Sequence, residues 1–263
     1  MPARSAPPRL LVAVVLLGAA AAARPAAAQQ PQATSFPPAA PAADSRPTLA
    51  VLYFTNGALL GGNDYAPLSK GMAEMLITTL SQNPGVRVVE RDRLQALLEE
   101  QNLANSGRVD QSTAVRIGKV LGAQHLVMGA FVIDPRQNMR IDLRSVNTET
   151  SQVEYVESVT GKADQLLSLV DQLGRKVNTG LHLPPVAFHV KPITEQTAAK
   201  PPEQFRAVML MSRALERQDR GDKAGAVALY KQALDADPGF ERAKVRLAML
   251  EAPAGRAATT PQR

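Results

Sequence analysis

Chemistry in this 263-residue chain would have to come from a few places. Gly57, Gly61 and Gly62 follow an apolar run at residues 49–54, where a strand opening into a glycine-rich turn could cradle phosphate. Their spacing fits neither G-x-G-x-x-G nor a turn closed by G-K-[ST], so they read as glycines of a flexible turn. The three histidines are His125, His182 and His189. His125 lies in an apolar stretch and reads as a packed, hydrogen-bonded strand residue. His182 and His189 flank Pro184-Pro185 in a linker, which lacks the rigid ligand geometry a metal needs. Glu99-Glu100 and the acidic residues between Glu149 and Glu157 offer carboxylate pairs. Catalytic carboxylates need a fixed separation across a cleft, whereas these fall on a helix surface and beside a hairpin turn. Met72, Met75, Met209 and Met211 read as core or interface filling. The expectation is a protein that is not an enzyme, with no catalytic residue, metal, cofactor or small-molecule substrate.

Composition narrows the class further. Hydrophobic residues make up 45% of the chain, so folding is expected over most of its length. Aromatic residues are 4% and Trp is absent, which suits helices packed on a sheet better than a stacking platform for nucleic acid. The formal charge is +6, but Arg4, Arg9 and Arg24 in the N-terminal segment supply half of it. The rest is interspersed with acidic residues, and no basic block remains to bind DNA or RNA. With no cysteine, disulfides, thiolate catalysis and Cys-based metal sites are excluded.

The elements that would carry any site fall into order along the chain. Residues 1–28 have a basic start, the apolar run LLVAVVLL at residues 10–17 and a small-residue close, the pattern of a cleavable export signal. Cleavage is expected between Ala28 and Gln29, with a second candidate point nearer Ala23. The apolar run is shorter than the roughly 20 residues of a spanning helix, and no Cys follows it to make a lipoprotein. Residues 29–47 read as a Pro/Ala-rich linker. Residues 48–183 read as one α+β domain with a mixed sheet, in the order β-α-β-α-α-β-β-β-α. Asp110 is placed to cap a helix. Met139, Ile141 and Leu143 alternate with Arg140, Asp142 and Arg144, the mark of a sheet with one wet face. In the run Glu90-Arg91-Asp92-Arg93, Asp92 is expected to cap the next helix while the charges stay solvated. Residues 184–203 form a Pro-rich linker, 204–252 a helical unit and 253–263 a disordered tail.

Two stretches carry a family likeness. VVERDRLQALLEEQNLANSG at residues 88–107 and STAVRIGKVLGAQHLVMGAF at residues 112–131 resemble the central segments of the CsgG/HfaB family of curli-type secretion and envelope-assembly proteins. The resemblance spans about residues 48–183. It implies a periplasmic α/β domain that oligomerises or docks onto partners at the outer membrane. The chain departs from that family in lacking a lipobox Cys. Only residues 138–160 could form a membrane hairpin, and they are needed to complete the sheet. The helical unit resembles a tetratricopeptide repeat through Leu210, Ala214, Gly221, Ala226, Tyr230, Ala233 and Pro238, with DADP at residues 235–238; Arg213 stands where the repeat usually has Leu.

Together these readings imply an exported, non-lipidated periplasmic accessory protein of secretion or assembly. It would act through contacts with other envelope or secretion proteins or with copies of itself, with at most peripheral outer-membrane association. A secretion-pore subunit and a regulator of cell-wall synthesis are the alternatives. Mass spectrometry of the exported protein should read Gln29, or a residue nearer Ala23, as the first residue; an intact Met1 on membrane-bound protein would refute the cleavable signal.

Overall fold

The residues after Pro47 form β1 (Thr48–Val51), short, apolar and buried at all four positions, so it must lie inside a sheet rather than at its rim. The computed structural model describes residues 44–57, 62–101, 110–185 and 199–252. Parallel to β1 run β3 (Arg87–Val88) on one side and β4 (His125–Ile133) on the other. A short β2 (Thr55–Asn56) pairs with the far end of β4. Then β5 (Asn138–Asn147) and β6 (Val153–Lys162) add antiparallel, giving the order β3-β1-β4-β5-β6 and the expected mixed sheet.

Helices fill the connections. They are the single turn α1 (Gly62–Tyr65), α2 (Leu68–Ser81), α3 (Arg91–Glu100), α4 (Gln111–Leu121) and, after a 3-10 turn at Ala163–Gln165, α5 (Leu166–Gly180). Beyond them come α6 (Pro201–Asp219), α7 (Lys223–Ala236) and α8 (Glu241–Glu251). Asp110 caps α4 as expected, accepting from Ser112 N at 2.9 Å and Thr113 N at 3.0 Å; Gly122 closes that helix at φ 67°. Asp92 does not cap α3. The N-cap is Glu90, with no side-chain bond, and the Asp92 carboxylate is drawn instead to two guanidinium groups.

The two sheet faces are covered differently. On one face α2 and α5 pack against Val127, Phe131, Met139, Ile141 and Leu143, and α6–α8 extend the same core outward through Met211, Tyr230 and Ala233. Gly71 lets α6 come close, since a Cβ there would meet the Ser212 hydroxyl. On the other face α3 and α4 cover β1, the start of β4 and Val146 with Leu94, Leu98, Ile117 and Leu121. They stop there. Arg140, Arg144 and Val156 stand exposed on that face, as the alternation of β5 anticipates.

At Gly129 of β4 the Phe54 ring lies where a side chain would be. Gly129→Ala should therefore destabilise the domain by about 1–3 kcal/mol through overpacking. Thermal melting followed by circular dichroism checks this, and an unchanged midpoint would refute the contact.

Candidate functional site

The first turn of α3 opens with Arg91-Asp92, a cation where a helix N-terminus disfavours one. Asp219 ends α6, an anion at the equally unfavourable end. The fold brings the two together. Arg91 is 1% exposed and clasps Asp219 with both terminal nitrogens, at 3.1 and 2.9 Å, while donating to Tyr53 Oη at 3.0 Å and Asp92 at 2.9 Å. Lys70 of α2 reaches the same Asp219 at 2.5 Å.

A second clasp adjoins the first. Glu74 of α2 is fully buried, and Arg246 of α8 holds its two oxygens at 2.8 and 2.9 Å. Arg242, one turn earlier, bonds the same carboxylate. Arg246 also donates to Asp92 at 2.6 Å, which links the clasps. Burial by itself would raise the Glu74 carboxyl, but the bonds and charges of Arg246 and Arg242 outweigh it and hold it below its ordinary value. Asp92 is lowered in the same way by Arg246 and Arg91 against partial burial. Burial opposes the Arg91 charge as well, yet Tyr53 and Asp219 keep the guanidinium firmly protonated. Tyr53 is pushed up, chiefly by burial. Glu74, Asp92, Arg91 and Arg246 are thus held in their charged forms. The junction fastens α6 and α8 to α2 and α3.

Sequence reasoning expected the charges at residues 90–93 to stay in water, and the structure corrects this for Arg91. Its partner Asp219 lies 128 residues away, and the Glu74–Arg246 pair spans 172 residues. The one available signal was the surplus of Arg and Asp on helices that already had apolar faces.

The other candidates disperse. Gly57 ends the β2 segment, donating to Phe131 O at 2.8 Å, and Gly62 starts α1; Gly61 lies outside the described residues. His125 sits partly buried in β4, its Nδ1 2.7 Å from Glu154 Oε1, and Ser145 Oγ donates to that same oxygen at 2.7 Å. Serine and histidine thus share the carboxylate, whereas a nucleophile would need the imidazole as its own acceptor. His182 follows α5 in a concavity of about 510 Å³ lined also by Arg175, Asn178 and Pro185, with no carboxylate among the lining residues. His189 and the cleavage point at Ala28 and Gln29 lie outside the described residues. Glu99 and Glu100 are exposed at the end of α3, where Gln95 donates to Glu99 at 2.6 Å. Glu149 is exposed in the β5–β6 turn, and Glu157 takes the Tyr155 hydroxyl at 2.9 Å and Lys176 at 3.1 Å. Partial burial and that hydrogen bond push Tyr155 up to about 12. Met72, Met75 and Met211 are buried and Met209 partly so. Among the described residues no group of three or more His, Cys, Asp or Glu could hold a metal, and no helix is long and apolar enough to cross a membrane.

In the helical part, Ala214, Ala226, Tyr230 and Ala233 are fully buried and Leu210 packs partly buried beside them. Gly221 makes the α6–α7 turn at φ 78°, and Pro238 is exposed just after α7. Tyr230 donates to Gln218 at 3.1 Å across the helix pair.

A family model described as the curli production assembly/transport component CsgG matches residues 32–133, which on the structure runs through β4. No curated protein matches the chain. Among solved structures, the LpoB C-terminal domain from Salmonella enterica is 16% identical, covers 44% of this chain and 82% of its own, and has a TM-score of 0.36. Lipoprotein GNA1162 from Neisseria meningitidis is 12% identical over 51% of this chain and 99% of its own, also at 0.36. The PelC dodecamer from Paraburkholderia phytofirmans is 14% identical over 52% of this chain and 89% of its own, at 0.30.

Removing one partner of a buried pair strands the other, at a cost of about 3–5 kcal/mol. Glu74→Gln should lower the melting temperature accordingly and speed hydrogen exchange in α6–α8 before the sheet; equal exchange in both would refute the junction as their fastening. Because Glu74 and Asp92 are depressed from 4.5 and 3.8, their contribution is complete at neutral pH. It falls away as pH drops below those ordinary values and through the lower folded-state ones. The near-ultraviolet signal of Tyr53 and Tyr230 should fade over that acid range, and a signal unchanged at about pH 2 would count against the linkage.

Proposed function

We propose that the protein is a non-enzymatic periplasmic accessory of secretion or assembly, similar to curli-assembly components, that works through protein–protein contacts. The match to the CsgG family model over residues 32–133 carries this reading. Three features support it. The most elaborate polar cluster among the described residues binds the protein's own helices. The sheet keeps a partly bare face on β5 and β6. The α6–α8 unit, which we read as repeat-like, presents Val245 and Met249 outward while its inner side is fixed. Export by the segment at residues 1–28, without lipidation, belongs to the same reading.

The competing reading is a pore subunit. In the structure β5 pairs with β4 at nine successive positions and with β6 along most of its other edge, so the hairpin that would have to enter a membrane serves the domain sheet. That favours the accessory role. Fractionation of the host, then light scattering and planar-bilayer conductance on the purified mature chain, tests the choice. The expected result is periplasmic recovery and a soluble particle that does not conduct. A conducting ring, or retention in the cytosol, would overturn it.

A further inference from the structure

The last strand of the sheet order, β6, has β5 on one side, and among the described residues no strand lies on the other. Which of its backbone groups face outward follows from the hydrogen-bond phase. Ala163 N donates to Gln137 O at 2.9 Å, one step beyond the pair Asn138 and Lys162. Alternation then makes Gly161, Val159 and Glu157 the residues that exchange bonds with β5. Val156, Ser158 and Thr160 turn their N–H and C=O groups to the free edge. The Ser158 N–H agrees, for its acceptor is its neighbour's side chain, Glu157 Oε1, at 2.9 Å.

Such an edge is normally blunted by proline, a bulge, a central lysine or brevity. The register from Tyr155 to Lys162 is regular, with its one irregularity opposite Ser145/Val146, and it contains no proline. Its lysine, Lys162, stands at the end and is already bonded to Asn138 at 2.8 Å and Arg136 O at 3.1 Å. Val156 meanwhile is 68% exposed and Val153 44%.

We propose that β6 is a strand-pairing edge at which two copies of the chain join antiparallel about Ser158, fusing their sheets into one. Charge and size select both the occupant and the register. With the two-fold axis on Ser158, Val156 lies opposite Thr160 of the second copy, Tyr155 opposite its Gly161 and Glu157 opposite its Val159, so no like charges meet. The exposed valine meets a β-branched residue, a favourable cross-strand pair, while Tyr155 and Gly161 stay packed against Gly180 and Leu169 of their own α5. Moving the axis one residue back sets Glu157 against itself, and one residue forward sets Val156 against Lys162. On pairing, the Ser158 N–H exchanges the Glu157 carboxylate for a backbone carbonyl, while Glu157 keeps Tyr155 and Lys176. One strand pair is a small interface, so the dimer should be of micromolar affinity.

This deepens the protein-contact reading by naming a self-contact, and its test uses purified mature chain, so it fails or succeeds independently of location and conductance. Sedimentation velocity across a concentration series should show reversible dimerisation. Because the chain has no cysteine, Ser158→Cys reads the axis directly. Under mild oxidation it should form a disulfide dimer at least about tenfold faster than Thr160→Cys, whose thiols would lie about 13 Å apart along the strand. Ser158→Pro removes an outward N–H that β5 does not use, and should weaken the dimer at least about tenfold with the circular-dichroism spectrum intact. Val156→Lys is the second variant, should the proline disturb the fold, and should weaken it likewise. A chain still monomeric at about 100 µM, dimers indifferent to both variants, or equal crosslinking at Ser158→Cys and Thr160→Cys would overturn the proposal. So would dimers that form only with an added partner peptide on the edge.

Discussion

The fold turns on one buried carboxylate. Glu74 stands on the helix that packs against the sheet, fully removed from water, and could not remain ionised there unaided. Arg246 and Arg242 make it tolerable, and both arrive on α8. Arg91, whose Nε has no hydrogen-bond partner, lies 3.7 Å from the same carboxylate and is held in turn by Asp219 at the end of α6. Main domain and C-terminal helices are thereby mutually required: each supplies charges that the other neutralises.

Such a cluster need not add net stability over a well-packed apolar contact, because the desolvation of every ion offsets much of the attraction. Its effect is on geometry. Apolar surfaces tolerate sliding, whereas a two-pronged guanidinium–carboxylate clasp does not. Two such clasps sharing Asp92 fix both the position and the rotation of α6–α8 on α2. The close passage of Ser212 over Gly71 then becomes possible without a gap. The apolar contacts through Met211, Ala214 and Tyr230 supply the burial, and the ions select one arrangement of it.

Much of this was legible in the sequence where the signal is local. The order of the main elements followed from periodicity, the wet face of β5 from strict alternation, and the α4 boundary from Asp110 and Gly122. The packing side of α3 followed from Leu94, Leu97 and Leu98. What escaped was non-local. Nothing within a few residues of Arg91 distinguishes it from exposed Arg93, and only the arrival of Asp219 decides which of them is buried. The two-residue β2 escaped for a related reason: a strand so brief is defined by the neighbour it pairs with, not by its own side chains, whereas β3 falls inside the strand read at residues 86–90.

The charge balance of the junction also says where function should be sought. Lys70, Arg91, Arg242 and Arg246 face Glu74, Asp92, Asp219 and, at the rim, Glu90, which Arg242 approaches at 3.9 Å. Four cations meet four carboxylates, so the cluster has no charge left over to attract a ligand, and its cations are largely shut away from solvent. An anion site would keep a cation unpaired and a catalytic site would keep a group poised to exchange protons. This cluster does neither, and its cost is recovered within the fold. Among the described residues an unpaired strand edge lies instead at β6, which turns backbone donors and acceptors outward beside exposed Val156. Among the described residues the polar chemistry thus divides in two: ions turned inward to lock the helices, and at β6 a strand edge that no other strand pairs.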